Sequence, residues 1–212
     1  KITDNVIEVS DFTGFEEMMD GRVKTLHPKI HAGILARRDS DMELLKEKGY
    51  EGIDLVIVNL YPFQETIASD CSFEEAIEKI DIGGPTMIRA AAKNFKDVVV
   101  VSDPDDYEEI INEWNENNGI SYDSRKNLSQ KVFSLMAQYN KSISDYLNED
   151  KGDLHDYAFQ KSVALRYAEN PHQSASLFTF DNLKNKNIAN ADIIQGKELS
   201  YNNIVDADAA WE

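Results

Sequence analysis

The chain has 212 residues, of which 42% are hydrophobic and 29% are charged, a balance typical of a globular protein rather than of a disordered chain. Its formal net charge of -17 excludes nucleic acid as a general partner, because most of the surface repels a phosphate backbone. No apolar run reaches the roughly 20 residues that cross a bilayer, and the first residues do not read as a signal peptide. A single cysteine cannot form an internal disulfide. Together these features predict a cytoplasmic protein with no membrane partner.

Strand and helix patterns alternate between residues 54 and 147. The apolar run DLVIVNLYPF is typical of a parallel strand buried on both faces, and Ser72 to Glu75 have the spacing of a capping box. In chain order the predicted elements are a strand at 54–63, a helix from 72, a helix at 86–94, a strand at 98–101, a helix from 104 and a long helix at 124–147. This order predicts an α/β domain with a mostly parallel sheet.

The composition changes at 148–153, NEDKGD, a charged stretch with glycine that is typical of a domain boundary. Beyond it, SVALRY, SASLFTF and ADIIQ predict strands, and 203–211 predicts a helix. These last residues, about 60 in number, are few for an independent core. We therefore predict one domain at 1–153 and the beginning of a second domain at 154–212.

Residues 21–38 form a basic island in this acidic chain, with several cations and no acid. Arg22 and Lys24 alternate along a segment that would be extended, so both would face one anion, such as a phosphate or a developing oxyanion. The alternative is a solvated basic loop. His27 lacks acids or cysteine at metal-ligand spacing, so we expect a hydrogen-bonded structural histidine and no metal site.

A second candidate feature is the sequence Asp81-Ile82-Gly83-Gly84 ahead of a helix. Paired glycines there would let backbone N–H groups approach an anion, although a glycine pair alone is weak evidence. Lys93 ends the same helix, so Asp81 and Lys93 would lie at its opposite ends unless the chain bends back. Lys93 could also simply favour the negative end of the helix dipole. Tyr61 follows a strand end, where ligands bind in open sheets, or it is a packing aromatic.

Five strings of this sequence occur in the order and approximate spacing found in one enzyme family. They are DGRVKTLHPKIHAGILARR, NLYPF, IDIGGPTMIRAAAKN, LRYAENPHQ and QGKELSYNNI. Over essentially its whole length the chain therefore resembles bifunctional phosphoribosylaminoimidazolecarboxamide (AICAR) formyltransferase/IMP cyclohydrolase. The resemblance implies de novo purine biosynthesis, a methylglyoxal-synthase-like α/β domain that closes formyl-AICAR to IMP with loss of water, and a second domain that makes formyl-AICAR from AICAR.

The resemblance also implies partners and site residues. Purine nucleotides are the expected ligands, formyl-tetrahydrofolate is the cosubstrate of formyl transfer, ring closure needs no cofactor, and the protein is a homodimer. The implied catalytic residues of ring closure are Lys24, Tyr61, Asp81 and Lys93. The implied substrate-binding residues are Arg22, Thr25, Asn59, Gly83 and Gly84 in the first domain, and Arg166 and Tyr167 in the second.

Some family features are expected elsewhere or differ here. A Ser-Thr-Gly-Gly-Thr phosphate loop is expected ahead of Lys1, and the Lys-His pair of formyl transfer beyond Glu212. Phe95 stands where many relatives have histidine, and Ala168 where they usually have glycine. Two other functions remain open on this fold: a nucleotide- or phosphate-sensing module, and methylglyoxal synthase. A sensor needs phosphate donors but no proton-transfer pair, and LRYAENPHQ and GKELSYNN count against methylglyoxal synthase.

Overall fold

A computed structural model describes residues 5–148, 159–180, 188, 191 and 194–211. The chain forms two compact units, residues 1–149 and 150–212. Throughout the described ranges, no helix has both the length and the apolar character needed to cross a membrane.

The first unit combines helices with a short parallel sheet, which confirms the predicted α/β class. Its elements are α1 (Val9–Thr13), α2 (Pro28–Leu35), α3 (Met42–Glu47), β1 (Leu55–Ile57), α4 (Phe63–Ile67), α5 (Phe73–Glu78), α6 (Gly83–Lys93), β2 (Val99–Val101), a 3-10 turn (Pro104–Asp106), α7 (Tyr107–Asn117) and α8 (Tyr122–Leu147).

The two strands of this unit pair in parallel but differ in burial. Leu55 lies opposite Val99, and Ile57 lies opposite Val101. All of β2 is buried, because α6 and α8 both pack against it. In β1 only Val56 is buried, while Leu55 and Ile57 are 48% and 53% exposed. The prediction of burial on both faces is therefore right for β2 and wrong for β1, whose alternate side chains point away from the helix-covered face.

Helix starts follow local side-chain chemistry. The Ser72 hydroxyl accepts from the Glu75 N–H while the Glu75 carboxylate accepts from the Ser72 N–H, which confirms the capping box. The Ser121 hydroxyl caps α8 by accepting from the Ser124 N–H at 3.2 Å. Helix α6 begins earlier than the predicted residue 86, because the Asp81 carboxylate accepts from the Gly84 N–H and closes its first turn.

The long helix α8 covers α6 and β2 and confirms the predicted helix at 124–147. Its buried side chains recur every three or four residues, at Leu128, Val132, Met136 and Tyr139. The Ser129 hydroxyl donates to the Ala92 carbonyl at 2.8 Å and fixes α8 on the end of α6. This packing anchors α6, whose first turn carries the candidate residues Gly83 and Gly84.

The second unit contains β3 (Phe159–Leu165) and β4 (Ala175–Phe180), which pair antiparallel, and α9 (Tyr201–Trp211). The predicted strands SVALRY and SASLFTF and the C-terminal helix are confirmed. Ser200 and Asn203 cap α9 reciprocally, since the Ser200 N–H donates to the Asn203 side chain at 3.1 Å. Of the predicted strand ADIIQ, two residues lie outside the described ranges, and the other three are not in a strand.

Candidate active site

A tight loop ahead of α2 presents the first two candidate residues. Met18 and Val23 exchange backbone hydrogen bonds of 3.0 and 3.2 Å, and the chain turns between them. Met19 and Asp20 have φ of 57° and 54°, left-handed values that cost non-glycine residues conformational energy. Such strained conformations concentrate at functional sites. Arg22 and Lys24 emerge from the closing side of this turn.

Each of these two cations pairs with an exposed carboxylate. Arg22 forms an ion pair with Glu78 of α5, and Lys24 Nζ lies 3.0 Å from Glu17 Oε2. The hydrogen bond to Glu17 raises the pKa of Lys24, and Tyr61 adds a smaller effect in the same direction. The hydrogen bond to Glu78 likewise raises the pKa of Arg22. Both side chains therefore stay cationic, and an anionic ligand competes with a carboxylate for each of them.

The remaining cations of the basic island are committed to the protein's own structure. Lys29 donates to the Phe12 carbonyl, and Arg37 is bidentate to Asp41 at 2.8 Å. Arg38 donates to the Ile53 carbonyl at 2.7 Å and to the Ala36 carbonyl at 2.8 Å. The cations of the island thus fall into two groups. Arg22 and Lys24 form the group that pairs with exposed carboxylates in the site region.

The prediction that His27 is a hydrogen-bonded structural residue is confirmed. Its Nδ1 accepts from the Lys29 N–H at 3.1 Å and caps the start of α2, which is the role of a structural histidine. Among the residues described, no group of histidine, cysteine and acidic side chains is arranged to hold a metal ion.

The glycine turn meets the basic loop directly. A Cβ placed on Gly83 would collide with the Thr25 hydroxyl, and one placed on Gly84 would lie 2.5 Å from Asp81 Oδ2. The Asp81 carboxylate also accepts from the Gly84 N–H at 2.9 Å. Thr25, Asp81 and both glycines are therefore in contact, as expected for one site. We expected the Gly84 N–H to approach an anionic ligand, but it donates to the Asp81 carboxylate instead.

Tyr61 and Asn59, which follow β1, point to different neighbours. Tyr61 is 57% exposed, and the centre of its ring lies 5.9 Å from Nζ of Lys79, the residue that follows α5. It is therefore a surface side chain of the site region and not a core aromatic. The Asn59 amide bonds the hydroxyl of Tyr107 in α7 at 3.2 Å.

Lys93 lies apart from the other candidates. It ends α6, and Asp81 precedes the start of the same 11-residue helix. The rise of about 1.5 Å per residue separates the two ends of the helix by about 15 Å. Lys93 is exposed, and within the part of the chain that the structure describes it has no ion pair. The expectation of opposite helix ends is confirmed, and the structure does not bring Lys93 to Asp81.

Three residues that bear on this site were not predicted. Glu17 and Glu78 hold the two cations, and Tyr139 of α8 bonds the main chain of Asp81. The spacing of the long helix marked Tyr139 only as a core residue. Nothing in the sequence pairs an acid or a hydroxyl with a partner distant in the chain, so only the folded structure finds these contacts.

In the second unit, the strings LRYAENPHQ and QGKELSYNNI adjoin each other. The Arg166 guanidinium lies 4.9 Å from the centre of the Tyr167 ring. The Arg166 N–H donates to the Leu199 carbonyl at 2.9 Å, and the Tyr201 N–H donates to the Tyr167 carbonyl at 3.0 Å. An open pocket of about 620 Å³ lies beside them, lined by Ala168, Glu169, His172, Gln173, Ser174 and Tyr201.

These features define a methylglyoxal-synthase-like (MGS-like) domain with a site at the start of α6. The family model of the MGS-like domain matches residues 2–86, and the family model described as AICARFT/IMPCHase bienzyme matches residues 91–212. The chain belongs to the AICARFT/IMPCHase bienzyme family, so the family resemblance is confirmed. The two matches meet near the middle of α6, whereas the two compact units divide after Glu149.

The chain aligns with named proteins over almost all of its length. Each of three relatives carries the name bifunctional purine biosynthesis protein PurH: one from Clostridium botulinum (52% identical over 210 residues), one from Fusobacterium nucleatum (54% over 210) and one from Clostridium perfringens (53% over 215). Each alignment covers 98% of this chain and 42% of the relative, so the chain spans less than half the length of these proteins. The crystal structure of ForH is 35% identical, with a TM-score of 0.56 over 66% of this chain and 75% of that chain.

Proposed function

We propose that the full-length protein is a bifunctional enzyme of purine biosynthesis, and that the first unit carries most of its IMP cyclohydrolase site. Family membership supports this proposal. The observation that carries it is the contact between Thr25 of the basic loop and Gly83, in the glycine turn whose Gly84 N–H donates to the Asp81 carboxylate. That contact joins two of the family strings into one surface beside Lys24 and Tyr61.

The arrangement suits ring closure chemically. A weakly nucleophilic carboxamide nitrogen must attack a formyl carbon, so the substrate has to be held close to the geometry of attack. As the bond forms, the formyl oxygen gains negative charge, which the Lys24 ammonium and the Tyr61 hydroxyl would stabilise. The neighbouring Asp81 carboxylate would take a proton from the attacking nitrogen and return it to the formyl oxygen. That oxygen leaves as water once it gains the second proton of the nitrogen. The reaction is a dehydration without a change of oxidation state, so it needs no redox cofactor.

The substrates proposed for this site are purine nucleotide monophosphates, with Arg22 binding the phosphate or another anionic group. Formyl transfer is proposed for the full-length protein, with formyl-tetrahydrofolate as cosubstrate and with Arg166 and Tyr167 contacting the AICAR nucleotide. We also propose that the full-length protein is a homodimer and that it is located in the cytoplasm. The roles of Asn59 and Lys93 are supported by the family resemblance alone.

Alanine substitutions in the full-length protein test the proposal. Lys24→Ala and Lys93→Ala are each expected to lower the rate of ring closure by about 100- to 1,000-fold, as loss of a transition-state donor does. Formyl transfer is expected to stay unchanged, because it is proposed for the second domain. Lys46→Ala is a matched control, since Lys46 is an exposed lysine of α3 outside the site.

The outcomes separate the alternatives. A variant that loses both activities equally has a folding or assembly defect, and its assigned role is not supported. Normal ring closure in Lys93→Ala alone would contradict the role of Lys93 and leave the site at the start of α6 intact. A full-length wild-type protein that binds nucleotide monophosphates and closes no ring would instead be a sensing module.

A further inference from the structure

Tyr139 joins the long helix α8 to the turn that carries Asp81. The side chain is 7% exposed, and its ring packs edge-on against Phe63 with ring centres 6.2 Å apart. Its hydroxyl accepts from the Asp81 N–H at 2.8 Å and donates to the Lys79 carbonyl at 3.3 Å. One buried hydroxyl therefore bonds the chain on both sides of Ile80.

The segment between α5 and α6 is short. Its other restraints act on Lys79 and Ile80, whose N–H groups donate to the Ala76 and Ile77 carbonyls, and Ile80 also packs against the core. Only the residues from Lys79 to Ile82 connect the two helices. The Asp81 side chain is fixed by the Gly84 N–H at 2.9 Å, and the Asp81 main chain by Tyr139 at 2.8 Å. These two contacts set the position of the Asp81 carboxylate, because one fixes where the residue starts and the other where its side chain ends. A shift of the turn would change the position of the carboxylate relative to Thr25 and the basic loop.

We propose that Tyr139 is a positioning residue for ring closure, whose buried hydroxyl holds the main chain of Asp81 and, through it, the carboxylate. The inference rests on the proposed function, in which Asp81 takes a proton from the substrate. Burial raises the pKa of Tyr139 above its ordinary value of 10.0. The hydroxyl therefore keeps its proton near neutral pH and can donate to Lys79 while it accepts from Asp81.

The test is Tyr139→Phe in the full-length protein, which keeps the ring and removes only the hydroxyl. We expect kcat for ring closure to fall about 10- to 100-fold, since a small misplacement of a reacting group has an effect of this size. KM is expected to stay essentially unchanged, because Tyr139 does not contact the ligand. The limb of the pH–rate profile that reports the base is expected to shift, and formyl transfer to stay unchanged.

Tyr146→Phe is the matched control. Tyr146 lies on the same helix and in the same aromatic cluster, stacked on Phe73 at 6.0 Å and edge-on to Phe63 at 5.8 Å. Its hydroxyl makes no bond to the Asp81 turn, so removing it is expected to leave kcat, KM and the pH profile as in the wild type.

Amide hydrogen exchange supplies a readout independent of turnover. In Tyr139→Phe the Asp81 amide is expected to exchange faster, with unchanged exchange in β2. The positioning role is overturned if ring closure keeps its wild-type kcat, or if KM and formyl transfer change as much as kcat, which marks a general defect of the fold. Wild-type protein with no ring closure would overturn the proposed function, and this role with it, before any variant is compared.

Discussion

Gly84→Ala tests whether the first turn of α6 requires a residue without a side chain. Gly84 is buried, and a Cβ there would lie 2.5 Å from Asp81 Oδ2 and 2.8 Å from Leu60 Cδ2. Both distances are well below van der Waals contact. The backbone of Gly84 is not left-handed, so alanine would suffer from these neighbours and not from its own φ.

Three effects determine the change in the free energy of unfolding: two lower it and one raises it. Forcing extra atoms into a packed site costs about 1–3 kcal/mol. Displacing the Asp81 carboxylate from the Gly84 N–H costs about a further 1 kcal/mol, the net contribution of a typical hydrogen bond. Alanine in place of glycine within a helix returns at most about 1 kcal/mol. The last two terms cancel, so the free energy of unfolding is expected to fall by about 2 kcal/mol, the middle of the range for extra atoms in a packed site.

Gly83→Ala provides the informative contrast. Its new methyl group would meet only the Thr25 hydroxyl, the end of a short side chain that can rotate away. We expect little change in the free energy of unfolding, and a loss of ring closure because Thr25 leaves its place. Gly83→Ala should therefore lower activity but not stability, whereas Gly84→Ala should lower both.

Urea unfolding and the rate of ring closure are measured on the same preparations. The control is Gly119→Ala, where an added Cβ meets no atom within 4 Å and the backbone is not left-handed. A Gly84→Ala protein with the unfolding midpoint and ring-closure rate of the wild type would refute the reasoning. So would a Gly119→Ala protein as unstable as Gly84→Ala.

Two further predictions concern charge. Glu17→Gln should strengthen binding of IMP by about two- to five-fold, because an exposed pair is weak and the variant frees Lys24 from its carboxylate 3.0 Å away. Calorimetry against Glu16→Gln checks this, and weaker binding would contradict it. Because the pKa of Tyr139 is raised above 10.0 on folding, its contribution to stability is present below that pH and is lost as the pH rises through the folded-state pKa. Urea unfolding in alkaline buffers should show that the free energy of unfolding falls less with rising pH in Tyr139→Phe than in the wild type. An equal fall in both proteins would disprove this.

Much of the fold was predictable because its signals are local. A capping box marks the start of α5, a run of valines marks β2, and a repeat of three or four residues marks α8. Each of these patterns involves residues that are neighbours in the chain. The exposure of Leu55 and Ile57 was not predictable, because an apolar run does not show which of its two faces the helices cover.

The sequence predicted only part of how the candidate residues are grouped. The family strings pointed to Thr25, Asp81 and the glycines, and the structure brings these residues into contact. Neither the strings nor the spacing could find the partner of the Asp81 main chain, because Tyr139 lies 58 residues further along. Helix geometry did predict the place of Lys93, since a straight helix keeps residues at its two ends apart.

In the proposed function, the division of the basic island leaves two cations of this acidic chain for an anionic ligand. Arg37 and Arg38 satisfy Asp41 and main-chain carbonyls, so their charge contributes to the fold around α2 and β1. Arg22 and Lys24 remain for a ligand, each held by a carboxylate that is itself exposed. Exchange of an exposed carboxylate for a phosphate oxygen replaces one ion pair by another, so the net gain in free energy is small and falls with ionic strength. Selectivity for the substrate must therefore come mainly from the contacts that Thr25 and the start of α6 make beyond the charge itself.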